Sequence, residues 1–107
     1  MEQNVNKIDF SKSGGIVPVI VQDANTKEIL TLAYTNKESL ERTVSTGNYW
    51  FWSRSRKKLW MKGEESGNTQ KVKEILVDCD SDALIYLVEP SGPACHTGEG
   101  TCFHNNM

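Results

Sequence analysis

The sequence predicts a mainly β, β-rich α+β domain: a sheet carrying one short helix. Three observations predict it. Runs of β-branched and apolar residues recur between polar turns; one segment changes to helical periodicity; and no repeat, linker or low-complexity tract interrupts the chain. IVPVIVQD (Ile16 to Asp23) and EILTLAYT (Glu28 to Thr35) are two strands around the turn-like Ala24-Asn25-Thr26-Lys27, a hairpin. TNKESLERTVSTG is the helix: Thr35 followed by Glu38 fits a capping box, Leu40 and Val44 lie four apart, and Gly47 can terminate it. YWFWSRS and KLWMKGE read as two more strands joined by a basic turn. Gln70 to Asp78 and Ala83 to Glu89 complete the set, and Pro90, Gly92 and Pro93 open an irregular tail.

A chain of 107 residues is predicted as one domain, 1–107, with a core large enough to stand without disulfides. Its 37% hydrophobic and 24% charged residues are ordinary for a globular protein. A net charge of −2 gives no general reason to expect nucleic acid or an anionic membrane as partner. MEQNVNKIDFSKSGG holds no apolar run of signal-peptide length, and no later segment reads as a bilayer span, so the cytoplasm is the expected compartment. Thiols stay reduced there, and three cysteines suggest a metal or reactive thiols rather than a bridge.

Three stretches can carry chemistry. In VDCDSDALIYLVE, an extended backbone puts Asp78, Asp80 and Asp82 on one face and Cys79 on the other. Three carboxylates within about 7 Å of strand repel one another unless a cation or water compensates, and a hard cation such as Mg²⁺ suits them. The plainer reading is a solvated acidic strand end. Asp78, Asp80, Asp82 and Glu89 also fall at the first, third, fifth and twelfth positions of an EF-hand loop. That match fails on context: Ala83 stands where the turn needs glycine, and Pro90 opposes an immediate exiting helix.

The second stretch is GPACHTGEGTC, which with Cys79 sets Cys95 and Cys102 in a thiol group suited to zinc. Three protein ligands leave a position for water, the catalytic pattern; a fourth from His104 gives a structural Cys₃His site instead. His96 is a poor ligand beside Cys95, because adjacent side chains rarely converge on one metal. Spacing leaves the catalytic and structural readings equally open.

The third is WSRSRKKLWMKGEESGNTQ, where Arg54, Arg56, Lys57, Lys58 and Lys62 concentrate positive charge. Arginine forks, serine hydroxyls and the backbone N–H groups of a tight SGN turn suit phosphate oxygens. Of Tyr49, Trp50, Phe51 and Trp52, which offer stacking faces, half are expected in the core. Alone, the stretch reads as a solvated basic hairpin; beside a metal site, phosphate recognition gains weight.

WSRSRKKLWMKGEESGNTQ, DCDSD and GPACHTGEGTCF, in this order and spacing, resemble phosphoribosyl-AMP cyclohydrolase of histidine biosynthesis, across roughly Ile16 to Phe103. The resemblance implies a folded five-stranded mixed sheet or pseudobarrel in an intertwined homodimer, with one Zn²⁺ and one Mg²⁺ per subunit. It implies hydrolysis of the N1–C6 bond in the adenine ring of phosphoribosyl-AMP, opening it to the phosphoribosyl-formimino imidazole carboxamide nucleotide. The zinc would take Cys79 from one subunit and Cys95 with Cys102 from the other; Asp78, Asp80 and Asp82 would take Mg²⁺. N1 alkylation makes the ring electron-poor, so zinc-bound hydroxide can attack C6. Three thiolates leave zinc with a formal charge of −1 and weaken its acidifying power, so a nearby base should help. His96 is the candidate for moving the proton to the departing nitrogen, ahead of Glu99. Arg54, Ser55, Arg56 and Lys62, with Ser66, Gly67 and Asn68, would hold phosphates and ribose.

The resemblance departs at the end of the chain. An aromatic and then an arginine commonly follow the last cysteine and phenylalanine in the family, whereas this chain reads Phe103-His104-Asn105-Asn106-Met107. The family domain is often fused to a phosphoribosyl-ATP pyrophosphohydrolase domain, and this chain is expected to lack one. Two other classes remain open. A nucleobase deaminase is disfavoured because the H-x-E and P-C-x-x-C patterns are missing. A zinc-stabilised nucleic-acid module would unfold on zinc removal and bind with salt sensitivity.

Overall fold

A computed structural model describes residues 5–12, 14–64, 67, 69–92 and 98–107. The fold is mostly β with one α-helix. After a 3₁₀ turn, Val5–Lys7, come β1 (Val17–Asp23), β2 (Ile29–Thr35), α1 (Lys37–Thr46), β3 (Trp50–Ser53), β4 (Lys58–Met61), β5 (Gln70–Val77) and β6 (Leu84–Pro90). The expected single sheet is instead two among the described residues: a mixed four-stranded sheet in the order β2-β1-β6-β5 and a two-stranded β3-β4 hairpin. No closed barrel forms among them. The hairpin separates because β3 and β4 pair only with each other. Backbone pairing with the main sheet is confined to the hairpin's entry, through the Asn48–Lys71 bridge and the Tyr49 N–H bond to the Gln70 carbonyl at 3.0 Å.

Local chemistry explains the elements. The β1–β2 turn closes on Asp23, whose Oδ1 accepts the N–H groups of Asn25 and Thr26 at 2.8 and 3.0 Å, with Lys27 left-handed at φ 67°. The helix cap lies one residue beyond the expected Thr35–Glu38 pair. Thr35 is still paired with Val17 at the end of β2, so Asn36 caps. Asn36 Oδ1 accepts the Ser39 N–H and Ser39 Oγ accepts the Asn36 N–H, a reciprocal box. Gly47 ends the helix at φ 78°, as expected. Pro90 does not open the tail; it ends β6, paired with Gln70.

Alternation sorts the main sheet into two faces. Val19, Val21, Leu84, Tyr86 and Val88 point into the core with Leu30, Leu40 and Tyr49. Helix α1 seals the β2–β3 side of this core: the buried Thr43 hydroxyl donates to the Ser39 carbonyl at 3.0 Å and accepts the Trp50 N–H at 3.0 Å. On the opposite face Leu32, Ile20, Ile85 and Leu76 stand in register across all four strands. Leu32, Leu76 and Ile20 remain 50%, 43% and 38% exposed. No helix among the described residues is long and apolar enough to cross a membrane.

Thr43→Val keeps shape but leaves the Trp50 N–H without its acceptor. It should lower stability by about 1–3 kcal/mol, read as a shifted urea midpoint at unchanged slope. An unchanged midpoint would show that this bond does not tie the helix to the hairpin.

Candidate functional site

DCDSD is not the continuation of a strand. β5 stops at Val77 and the five residues form the turn into β6, because Asp78 Oδ1 accepts the N–H groups of Asp82 and Ala83 at 2.9 and 3.2 Å and Ser81 adopts φ 63°. The alternating faces expected for Asp78, Asp80 and Asp82 are therefore replaced by a curl that still gathers the three carboxylates. One oxygen from each lies within 4.8 Å of the others. Cys79, inside the same turn, is exposed and outside this cluster.

A side chain distant in sequence enters the cluster. Lys12 Nζ lies 3.4 Å from Asp80 Oδ2, 3.4 Å from Asp82 Oδ2 and 3.3 Å from the Asp80 carbonyl. The preceding segment is fixed there by the Asp9 N–H, which donates to the Ser81 carbonyl at 2.8 Å. Partial desolvation pulls the Lys12 pKa down, but Asp80 and Asp82 outweigh it and leave it raised. Hydrogen bonding with Asp82 and then Asp78 holds Asp80 below the usual carboxylate value, while the same contacts with Asp80 and Asp78 raise Asp82. Converging oxygens of this charge fit a hard cation with oxygen ligands.

The basic hairpin forms a second feature. The Ser53 hydroxyl accepts the Arg56 N–H at 3.3 Å and Lys57 takes φ 51°, closing the β3–β4 turn. Arg56 lies over Trp60, 4.3 Å from the ring centre, and Arg54 over Tyr34, 3.9 Å away. Arg54 and Ser55 join Tyr34, Phe51 and Trp52 in lining an open groove of about 320 Å³. Lys62 is held by its backbone N–H on the Tyr49 carbonyl at 2.9 Å, and Gly67, at φ 80°, presents its carbonyl to the Ser91 hydroxyl at 3.3 Å. Half of the aromatic run enters the core, as expected: Tyr49 is buried and Phe51 packs against the core cluster. Ser66, Asn68, Cys95 and His96 lie outside the described residues.

Strand directions relate these parts. β2 and β5 run the same way, so Tyr34 near the end of β2 and the aspartate turn after β5 lie at one end of the sheet. Cys102 is elsewhere. Its N–H donates to the Leu30 carbonyl at 2.7 Å, beside the Thr101 hydroxyl bond to Ile29, at the opposite end and along the opposite edge from Cys79. The two edges are separated by three strand spacings, about 14 Å, whereas zinc takes each thiolate at about 2.3 Å. The chain does not bring Cys79 and Cys102 together.

Sequence reasoning missed Lys12 and Tyr34. Lys12 carries no local signal, since only the fold brings it to the turn. Tyr34 was visible as an aromatic in a strand, but nothing in its surroundings named Arg54.

Residues 31–104 match the family model for phosphoribosyl-AMP cyclohydrolase. The whole chain is 75% identical over 107 residues to the phosphoribosyl-AMP cyclohydrolase of Nitrosopumilus maritimus, covering 99% of that protein. It is 56% identical over 99 residues to the protein of the same name from Lacticaseibacillus casei, with 92% of this chain and 90% of the other covered. It is also 67% identical over 101 residues to the histidine biosynthesis bifunctional protein of Bacillus subtilis, where 94% of this chain matches 48% of the longer protein.

Lys12→Met removes the nearest positive charge, so the Asp80 titration should move upward in a carboxyl ¹³C NMR experiment. An Asp80 curve that stays in place would refute the ion pair.

Proposed function

The chain belongs to the phosphoribosyl-AMP cyclohydrolase family, and on that premise we propose that it hydrolyses the N1–C6 bond of phosphoribosyl-AMP in histidine biosynthesis. The observation that carries the reading beyond kinship is the gathering of Asp78, Asp80 and Asp82 at the same end of the sheet as the Arg54 groove. A doubly phosphorylated nucleotide needs both a cation site and anion receptors.

Asp78, Asp80 and Asp82 would hold Mg²⁺ as a hard cation on oxygen ligands. Cys79, Cys95 and Cys102 are the thiolates for zinc, which when bound lowers the pKa of water so that hydroxide is available near neutral pH. His96 is the group we assign to the proton transfer: it would take a proton from the water that adds to C6 and give it to N1 as the C6–N1 bond breaks. Arg54, Ser55, Arg56 and Lys62, with Ser66, Gly67 and Asn68, hold the phosphates and ribose through charge-assisted hydrogen bonds.

The zinc site is completed by a second copy of the chain. Two features support this. Cys79 and Cys102 stand at opposite edges of one sheet, and the row Leu32, Ile20, Ile85 and Leu76 leaves an apolar face that a dimer would cover. The five-stranded folded pseudobarrel expected from the resemblance would arise within such a dimer, and the cytoplasm is its proposed compartment.

Purified protein with phosphoribosyl-AMP, Zn²⁺ and Mg²⁺ should turn over, read as the ultraviolet change on ring opening. Absence of turnover would overturn the assignment. His96→Ala should lower kcat on the order of 10²-fold or more while zinc stays bound; full activity across pH would remove His96 from the proton transfer.

A further inference from the structure

We infer that Tyr34 is a positioning residue for nucleotide phosphate, acting through Arg54. This rests on the cyclohydrolase reading and adds to it a residue that sets affinity.

Arg54 is the first residue after β3, on a hairpin that shares no strand pairing with the main sheet. An exposed arginine there would sample many rotamers, and ordering it on binding would cost affinity. Tyr34 supplies the order. It sits on β2, a strand of the main sheet, and its ring receives the guanidinium carbon at 3.9 Å from the centroid, the tightest such contact among the described residues. At that distance the ring quadrupole attracts the cation.

The other stacked cations differ in kind. Arg42 lies 5.0 Å from the Trp50 ring and also pairs with Glu38 at 4.0 Å. Arg56 and Lys58 share Trp60 within the hairpin itself. Only the Tyr34–Arg54 contact, among these four, ties the hairpin to the main sheet. Among the described residues, Arg54 also has no carboxylate partner within ion-pair distance. A guanidinium held over an aromatic face does not spend its N–H donors on that contact, so they can still meet phosphate oxygens in a fork.

The groove of about 320 Å³ that both residues line is of small-ligand size. It adds the aromatic faces of Phe51 and Trp52 and the hydroxyls of Ser53 and Ser55 to the one cation. That combination suits a phosphate monoester attached to a nucleoside.

The test is a double-mutant cycle on KM. Tyr34→Phe keeps the ring and should stay within about twofold of wild type, whereas Tyr34→Leu should raise KM for phosphoribosyl-AMP about 3- to 30-fold. The value of kcat should change little, because the reacting ring is not held by this pair. In an Arg54→Ala background, Tyr34→Leu should have no further effect. Equal damage from Phe and Leu, additive losses in the cycle, or a fall in kcat with KM unchanged would overturn the inference. Thermal melting of each variant separates these results from misfolding, and a Tyr34→Leu chain that fails to fold leaves the Phe variant and the Arg54→Ala cycle with Tyr34→Ile to decide. If wild type does not turn over phosphoribosyl-AMP, the function reading fails, and the same cycle read by calorimetric binding of AMP still decides the role of Tyr34.

Discussion

The parallel pairing of β1 with β6 is the constraint from which the rest follows. It joins strands more than sixty residues apart, from Val19 with Leu84 to Asp23 with Val88. Because parallel neighbours start at the same end, whatever precedes β1 must lie beside whatever precedes β6. The segment carrying Asp9 and Lys12 is thereby delivered to the Asp78–Asp82 turn, and the Lys12 ammonium reaches the carboxylates from 68 and 70 residues away. The same pairing pushes β2 and β5 to the two edges and makes them run in one direction. Tyr34 and the aspartates then share an end of the sheet, and Cys79 and Cys102 do not.

Much of this was legible in the sequence, for identifiable reasons. The strands were readable because β-branched runs alternate with turn residues whose geometry is local, as at Asp23 and Lys27. The helix was readable from Leu40, Val44 and Gly47, but its cap was displaced by one residue because Thr35 was already committed to pairing with Val17. The clustering of the three aspartates was foreseen for the wrong reason: strand alternation suggested it, whereas an Asp78 side-chain turn produces it. Two sheets in place of one, and the contacts of Lys12 and Tyr34, were not legible, since each depends on pairings between distant segments that no local pattern encodes.

The electrostatics and the exposed sheet face point the same way. Among the described residues, a turn bearing three carboxylates is balanced by one ammonium, Lys12, and the mutual contacts of the carboxylates lower the Asp80 pKa and raise that of Asp82. Such a cluster has charge to offer a divalent cation. The apolar row on the outer sheet face is larger than isolated surface leucines, and continuous across every strand. Both features support the proposal of a subunit whose chemistry is completed from outside: by a cation at one turn, and by a second chain over one face.

The most direct test of that account is subunit complementation. Cys79→Ser and Cys102→Ser chains, each inactive alone, are mixed and allowed to exchange, with exchange verified by native mass spectrometry. Half of randomly formed dimers are mixed, and each mixed dimer regains one intact zinc site of two, so about a quarter of wild-type activity should return. Verified exchange without any recovery would contradict a site shared between two chains.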